Sequence, residues 1–181
     1  MKKLILTASA GILFLLVSCS NKESGGMSEK AKKNLATAQA IAKMFETSDW
    51  SKVGDYIATD AVDHASMTGK DIVGLDSIKA SFAMYSQMMS NMKNETMKEL
   101  ADDDYVFQWL KESWTVTKDG MGMKAGDKPT MNAIEVSRFK DGKVVEHWSF
   151  IDMNDMMKMM PPPPMENKMD TAKMKEPMKK K

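Results

Sequence analysis

The dipeptide Asp141-Gly142 constrains the fold of this chain more than any other short segment. It separates two runs that are rich in β-branched and aromatic residues, 130–140 and 143–152. Asp-Gly between two such runs favours a type I′ turn, whose backbone twist matches that of a two-stranded hairpin. We therefore predict an antiparallel hairpin here. A further strand is predicted over 105–117, where the same residue types dominate.

Ahead of these strands, apolar residues recur at helical spacing. Ser28 is the predicted N-cap of a first helix, and Ser48 that of a second, shorter one. The apolar residues that mark three helix faces are Leu35, Ala38, Ile41, Ala42 and Phe45; Trp50, Val53, Tyr56 and Ile57; and Ile78, Phe82, Tyr85, Met89 and Met92. A short helix is predicted from Asn154. Three helices followed by an antiparallel meander predict an α+β domain whose helices cover one face of the sheet.

The two-residue turn also sets which residues of the hairpin lie opposite each other. If pairing proceeds outward from the turn, Val136 lies opposite His147 and Glu135 lies opposite Trp148. Successive residues of a strand point to opposite faces, so these two pairs belong to different faces. Either face could cover the core, and a slip of one residue would reverse the assignment.

The first residues have the composition of a secretory signal peptide. Two lysines precede an apolar run over 4–17, which is shorter than the roughly 20 residues that span a bilayer. The run ends in segment 16–19 (Leu-Val-Ser-Cys), which resembles a lipobox, the motif in which the cysteine thiol receives a diacylglycerol. Cys19 is the only cysteine of the chain, so it has no disulfide partner. We predict a lipoprotein signal peptide over 1–18 and lipidation, with palmitate, at Cys19.

Composition divides the rest of the chain into three parts. Residues 19–27 are polar and glycine-rich, which is typical of a flexible tether. Four prolines at 161–164 end any preceding helix, and the Lys-, Met- and Pro-rich composition predicts a disordered tail over 161–181. The folded domain is expected over 28–160. A lipid on Cys19 would hold it at a membrane of the cell envelope, where we expect the outer membrane, facing the periplasm or the surface.

Two segments resemble SnoaL-like proteins of the NTF2-like superfamily. One is segment 60–65 (Asp-Ala-Val-Asp-His-Ala), followed by Gly69 and Gly74 before a helix. The other is the hairpin over 134–148, and the resemblance as a whole covers about 35–157. It implies an NTF2-like cone, in which a curved antiparallel sheet wraps around three N-terminal helices and forms an apolar pocket.

The resemblance also implies a range of functions. The superfamily includes polyketide cyclases, ketosteroid isomerases, dehydratases and proteins without catalysis, so the fold alone selects none of them. The cyclases use a pocket carboxylate as general acid or base, and many relatives have Asp or Asn directly after the hairpin tryptophan. This chain has Ser149 there, and Asp152 is the nearest substitute. Many relatives dimerise through the sheet, which makes a homodimer the expected assembly.

The preferred prediction is a pocket that binds a small apolar or amphipathic molecule. Its predicted lining residues are His64, Tyr85, Trp109, His147, Trp148 and Ser149. The alternative is a SnoaL-like lyase, isomerase or cyclase, with His147 or Asp152 as the proton-transfer group, because a histidine titrates near neutral pH. Each residue also has a structural interpretation: a histidine can be bonded to backbone or to a carboxylate, and aromatic residues fill cores.

Methionine suggests a third function. The chain has 21 methionines, and thioethers are soft ligands that select Cu(I). The alternative metal-binding set is Met153, Met156, Met157, Met159 and Met160. Methionine is also a common filler of irregular cores, so the pattern does not decide between a copper site and packing.

Other function classes find no support in the sequence. The net charge is +1, so no global field would recruit nucleic acid. We find no nucleophile elbow, phosphate loop, dinucleotide fingerprint or Cys-x-x-Cys motif, and we predict no cofactor. The expected partners are a membrane, through the lipid, and a small-molecule ligand.

Overall fold

The structure, a computed structural model, describes residues 26–66, 68–120 and 122–159. The predicted signal peptide 1–18, Cys19, most of the tether, Met160 and the predicted tail 161–181 lie outside the described residues. Within them, no helix is long and apolar enough to cross a membrane.

Four helices and six strands make up the described fold. The helices are α1 (Glu29–Thr47), α2 (Val53–Tyr56), α3 (Leu75–Met88) and α4 (Met153–Met159). The strands are β1 (Ile57–Asp63), β2 (Ile72–Val73), β3 (Met89–Ala101), β4 (Tyr105–Val116), β5 (Thr130–Lys140) and β6 (Lys143–Ile151). They form one sheet in the order β2-β1-β6-β5-β4-β3. The predicted α+β class, with a sheet against the helices, is confirmed.

The first helix begins where the sequence predicted. The side chain of Ser28 accepts a hydrogen bond from the backbone N–H of Ala31 at 3.0 Å, which satisfies one of the free donors of the first turn. Ser48 was predicted to begin the second helix, but it ends α1 instead, with a left-handed backbone at φ 53°. The second helix is consequently reduced to the four residues of α2.

The sequence did not reveal β1. Its residues 57–63 mix small, acidic and apolar types and lack the alternation that marks a strand. The strand forms because it pairs in parallel with β6, with Asp63 in register with His147. The meander from β3 to β6 is antiparallel, so β1 contributes the one parallel pairing among the described strands.

The hairpin forms as predicted, but its register shifts beyond the turn. Asp141 and Gly142 have φ of 53° and 77°, the two positive values that a type I′ turn requires. Val145 is then an extra residue in β6, a β-bulge, because Phe139 pairs with Val144 and the next residue of β5 pairs with Glu146. The predicted pairs of His147 with Val136 and of Trp148 with Glu135 are therefore wrong.

The bulge decides which face of β6 is covered by the helices. Ser137 lies opposite His147, and Glu135 lies opposite Ser149. In β4 the residues at alternate positions are buried and the others are exposed. The face that packs against α1 and α3 is called the inner face here. The β4 residues on the inner face are, in chain order, Val106, Gln108, Leu110, Glu112, Trp114 and Val116.

The apolar core occupies the hairpin end of the inner face. Its buried residues are Ala38, Met44, Val53, Ile57, Ala61, Ile78, Phe82, Val106, Phe139 and Val144. Phe45, Trp50 and Phe82 meet edge-on or tilted, with ring centroids 4.8 Å apart. Further along β4, Glu112 is a buried carboxyl. Leu110, Trp114 and Val116 are buried on either side of it, so the inner face stays largely apolar around this carboxyl group.

Candidate acid–base site

Three neighbouring strands bring a histidine between two carboxylates on the inner face. His147 Nδ1 lies 3.0 Å from Asp63 Oδ1, and His147 Nε2 lies 2.8 Å from Glu135 Oε2. The hydroxyl of Ser149 donates to Glu135 Oε1 at 2.6 Å. We call Asp63, Glu135, His147 and Ser149 the His147 cluster. Because a carboxylate only accepts hydrogen bonds, both ring nitrogens of His147 act as donors, which is the imidazolium form.

The electrostatics of the cluster agree with this assignment. Burial acts to lower the pKa of His147, but its hydrogen bonds to Asp63 and Glu135, with their negative charges, raise that pKa to about 10. Burial acts to raise the pKa of Asp63, but the hydrogen bond and charge of His147 hold it below its usual value. At neutral pH His147 is therefore charged. In this arrangement it holds and orients two carboxylates, and it has no free nitrogen with which to act as the predicted general base.

Glu112 is the second titratable feature of the inner face. Its residue is 7% exposed, and its carboxyl has no hydrogen-bond partner among the described residues. Burial, together with the negative charge of Glu135, raises the pKa of Glu112 to about 8, against the opposing charge of His147. Below this pH Glu112 is a neutral carboxylic acid, which can donate a proton.

Tyr85 faces the same group of side chains from α3. Burial raises the pKa of its phenol, and the charges of Asp63 and Glu135 act in the same direction. Tyr85 also borders a cavity of about 10 Å³ beside Phe45 and Trp50, which has room for one water molecule at most. A wider surface cleft of about 380 Å³ lies at the start of α1 and includes none of the predicted pocket residues.

The structure separates the six predicted pocket residues into two groups. His147 and Ser149 belong to the inner face and Tyr85 faces it from α3, whereas His64, Trp109 and Trp148 lie on the other side of the sheet. The ring of His64 stacks on Trp148 at a centroid distance of 4.9 Å, and its Nδ1 lies 2.9 Å from Asp71 Oδ1. The outward position of Trp148 follows from strand alternation next to the inward His147.

Trp109 is 47% exposed and pairs with Ile134 on the outer face. It does not line a pocket with His147, which corrects the prediction. Phe107 on β4 and Phe150 on β6 are exposed on the same face, and both strands pair with β5. The homodimer predicted from the resemblance stays a prediction, and this apolar outer face is the surface it would use.

Asp152 has a structural role in the described fold. Its Oδ1 accepts hydrogen bonds from the backbone N–H groups of Asn154, at 2.8 Å, and Asp155, at 3.3 Å, in the first turn of α4. This is helix capping, which removes the physical basis for treating Asp152 as a proton-transfer group.

The methionines of the alternative metal set are spread around a short helix. Met153 and Met157 are exposed and one turn apart on α4, Met156 and Met159 are partly buried, and Met160 lies outside the described residues. Among the described residues, no group of three or more His, Cys, Asp or Glu side chains could hold a metal ion. Copper binding by thioethers stays a prediction.

Three carboxyl groups of the site escaped the sequence analysis. Asp63 and Glu135 stood within the segments of resemblance but were not selected as site residues. Glu112 carried a usable signal, because it is a charged residue at one of the alternate buried positions of β4, between Leu110 and Trp114. A charged residue at an inward position of a strand is rare unless it is paired or functional.

The family of SnoaL-like polyketide cyclases matches residues 36–160 of the chain. No curated protein matches it. Solved structures with the same fold include IdmH from Streptomyces antibioticus, at 22% identity and a TM-score of 0.59, with 70% of this chain and 96% of that one covered.

Two further structures are similar at lower identity. A SnoaL-like polyketide cyclase from Agrobacterium tumefaciens is 13% identical, with a TM-score of 0.59 over 69% of this chain and 95% of that one. An LEH-like epoxide hydrolase from M. tuberculosis is 14% identical, with a TM-score of 0.59 over 72% and 91%. At these identities the similarities show the fold alone.

We expect His147 to remain protonated through neutral pH. Its ring resonances in an NMR titration should move only as the pH approaches about 10, and Glu135→Gln should lower that midpoint by removing one carboxylate. The folded-state pKa lies above the ordinary value of 6.5, so the stability contributed by His147 is complete below pH 6.5 and is lost as the pH rises toward 10. The variant His64→Gln lacks the other histidine ring of the chain, so the ring resonances that remain belong to His147. A midpoint for His147 near 6.5 would contradict the imidazolium assignment.

Proposed function

The chain belongs to the SnoaL-like polyketide cyclase family, and on this premise we propose that its domain is an acid–base enzyme acting on a small carbonyl compound. The observation that carries the proposal is the presence of two unlike carboxyl groups on the inner face, Glu135 on β5 and Glu112 on β4. Glu135 accepts hydrogen bonds from His147 and Ser149 as a carboxylate does. Glu112 has no such donors and keeps its proton up to a pH of about 8. Environments that separate two carboxyl groups in this way define a base and an acid.

The reaction follows from these two states. Glu135 removes a proton from the carbon next to the carbonyl group, and Glu112 donates its proton to the carbonyl oxygen. The product is an enol, and the base and acid have exchanged protonation states. The enol then either attacks a second carbonyl group, which closes a ring, or regains a proton at another carbon, which isomerises the compound.

The remaining members of the cluster position the base. His147 fixes one oxygen of Glu135, and Ser149 fixes the other. Asp63 accepts from the far nitrogen of His147 and thereby keeps the ring charged and oriented. The side chain of His147 is 29% exposed, so the cluster borders solvent and a substrate could reach Glu135 from that side.

Ligand binding without turnover is the second candidate. The favouring observation is that the His147 cluster satisfies its own hydrogen bonds, so it needs no reacting group to be stable. Glu112 is a carboxyl group between the apolar side chains of Leu110 and Trp114. This favours an amphipathic ligand over a purely apolar one, because an apolar ligand would leave the carboxyl group unpaired.

Proton exchange distinguishes the two functions. We expect the purified domain to catalyse deuterium exchange at the carbon between the carbonyl groups of 1,3-diketones. Proton NMR measures this exchange as the loss of the signal of that carbon's hydrogens. Glu135→Gln should slow this exchange by roughly 10²- to 10⁴-fold, the usual contribution of a positioned base. The matched control is Glu95→Gln, an exposed glutamate on β3, which should leave the rate unchanged.

The pH dependence supplies an internal check. Because Glu112 must hold a proton to act as the acid, the exchange rate should fall as the pH rises through about 8. Exchange that is absent in the wild type, while ligands still bind, would favour the second candidate. Exchange that is equally fast in Glu135→Gln would contradict the assignment of the base.

We also propose that a lipid on Cys19 anchors this domain to a membrane of the cell envelope. The lipobox-like segment 16–19 and the absence of any second cysteine support the proposal. The described domain begins at Ser28, only a short polar stretch after Cys19, so the enzyme would work close to the membrane surface. Its substrates would then be compounds that reach or leave the envelope.

Lipidation is tested in cells. Full-length protein should incorporate an alkynyl palmitate analogue and sediment with membranes, whereas Cys19→Ser should lose the label and leave the membrane fraction. Ser20→Ala, the neighbouring control, should behave as the wild type. A Cys19→Ser variant that keeps the label would contradict lipidation at this residue.

A further inference from the structure

Two buried polar atoms on the inner face lack hydrogen-bond partners among the described residues. One is the indole Nε1 of Trp114, a donor on a residue that is 5% exposed. The other is Oδ1 of Asn94, an acceptor on β3. Buried polar groups without partners are uncommon in folded proteins because they lose the hydrogen bonds that water would make. Each such group needs a physical explanation.

Both residues are neighbours of Glu112 on the sheet. Trp114 follows it by two residues on β4, so the two side chains share the inner face, and Asn94 is the direct partner of Glu112 across the β3–β4 pair. The amide of Asn94 is oriented by α1, since its Nδ2 donates to the carbonyl oxygen of Ala42 at 2.9 Å. This bond identifies Nδ2 and Oδ1, because a carbonyl oxygen can only receive a donor.

The strand on the other side of β4 offers no substitute partner. Met131 lies opposite Glu112 on β5, and Ala133 lies opposite Leu110. Neither side chain carries a strong acceptor for the indole N–H or a donor for the amide oxygen. Trp114 thus supplies a donor, Asn94 an acceptor and Glu112 a carboxyl group on neighbouring positions of the sheet, and no hydrogen bond joins them.

We propose that Asn94, Glu112 and Trp114 form a subsite for the hydroxyl group of an enol, or of a phenol that resembles one. The oxygen accepts from the Trp114 N–H, and the hydroxyl proton is shared with Asn94 Oδ1 and the carboxyl group of Glu112. The inference rests on the proposed function, in which Glu112 protonates a carbonyl oxygen and so creates this hydroxyl.

The subsite gives the reaction a selective element. A carbonyl oxygen can accept from Trp114 but has no hydrogen to donate, so it leaves Asn94 Oδ1 unpaired. The enol hydroxyl satisfies both atoms. The subsite therefore stabilises the enol more than the starting ketone. Stronger binding of the species formed along the reaction than of the substrate is the condition for accelerating enol formation.

Three naphthalenes of similar shape test the subsite by titration calorimetry. 2-Naphthol has a donor and an acceptor, 2-methoxynaphthalene has an acceptor only, and 2-methylnaphthalene has neither. We expect 2-naphthol to bind roughly tenfold more tightly than 2-methylnaphthalene, the effect of about one net hydrogen bond, with the methyl ether between them. Trp114→Phe keeps the ring but removes the N–H, so it should reduce this preference several-fold. Trp109→Phe, on the outer face of the same strand, should leave it unchanged.

A second measurement does not depend on a variant. In the nitrogen-15 spectrum of the wild type, the indole N–H resonance of Trp114 should shift on addition of 2-naphthol and not on addition of 2-methylnaphthalene. Equal affinity for the three compounds, or no binding at all, would overturn the subsite. So would a preference that survives in Trp114→Phe. Deuterium exchange is a separate readout: exchange that persists without a naphthol preference refutes the subsite alone, whereas loss of exchange with the preference intact refutes the proposed function alone.

Discussion

An imidazolium held between two carboxylates joins three neighbouring strands of the sheet, and the charge of the whole site follows from it. Asp63, His147 and Glu135 together carry one negative charge in a partly buried region. If Glu112 also ionised, a second negative charge would lie nearby with no cation of its own. Burial raises the pKa of Glu112, the charge of Glu135 adds to the rise, and this carboxyl group remains an acid at neutral pH. The base and the group that orients it thus depend on a single ion pair network, in which loss of one partner would leave a poorly compensated charge.

The network exists because of one strand pairing and one bulge in the backbone. The parallel pairing of β1 with β6 places Asp63 beside His147, and the bulge at Val145 turns His147 toward Glu135 and Ser149. Without the bulge, alternation would place His147 on the outer face. The sequence predicted the type I′ turn and both strands of the hairpin correctly, since Asp141-Gly142 determines them locally. It could not predict the bulge, because nothing in the residues on either side of Val145 distinguishes a regular ladder from one with an extra residue.

Strand alternation and long-range strand pairing also explain which site residues the sequence could identify. His147 and Ser149, which were selected from the hairpin, lie on the inner face. Trp148 and Trp109 were assigned to a pocket because of their residue type, and strand alternation places both on the outer face. His64 was selected as one of two histidines, and it stacks on Trp148 at the outer face. Glu112 was missed because the strand over 105–117 was predicted from its β-branched and aromatic residues alone. Asp63 could not be found without β1, whose pairing with β6 is a contact between distant parts of the chain.

The protonation state of Glu112 is the central claim, since it determines whether the inner face holds an acid and a base or two bases. Difference infrared spectra of the wild type and Glu112→Gln at pH 7 measure it directly. We predict that the carbonyl stretch of one protonated carboxyl group is present in the wild type, absent in the variant, and lost from the wild type as the pH rises through about 8. A difference spectrum at pH 7 that contains only the bands of a carboxylate would contradict it.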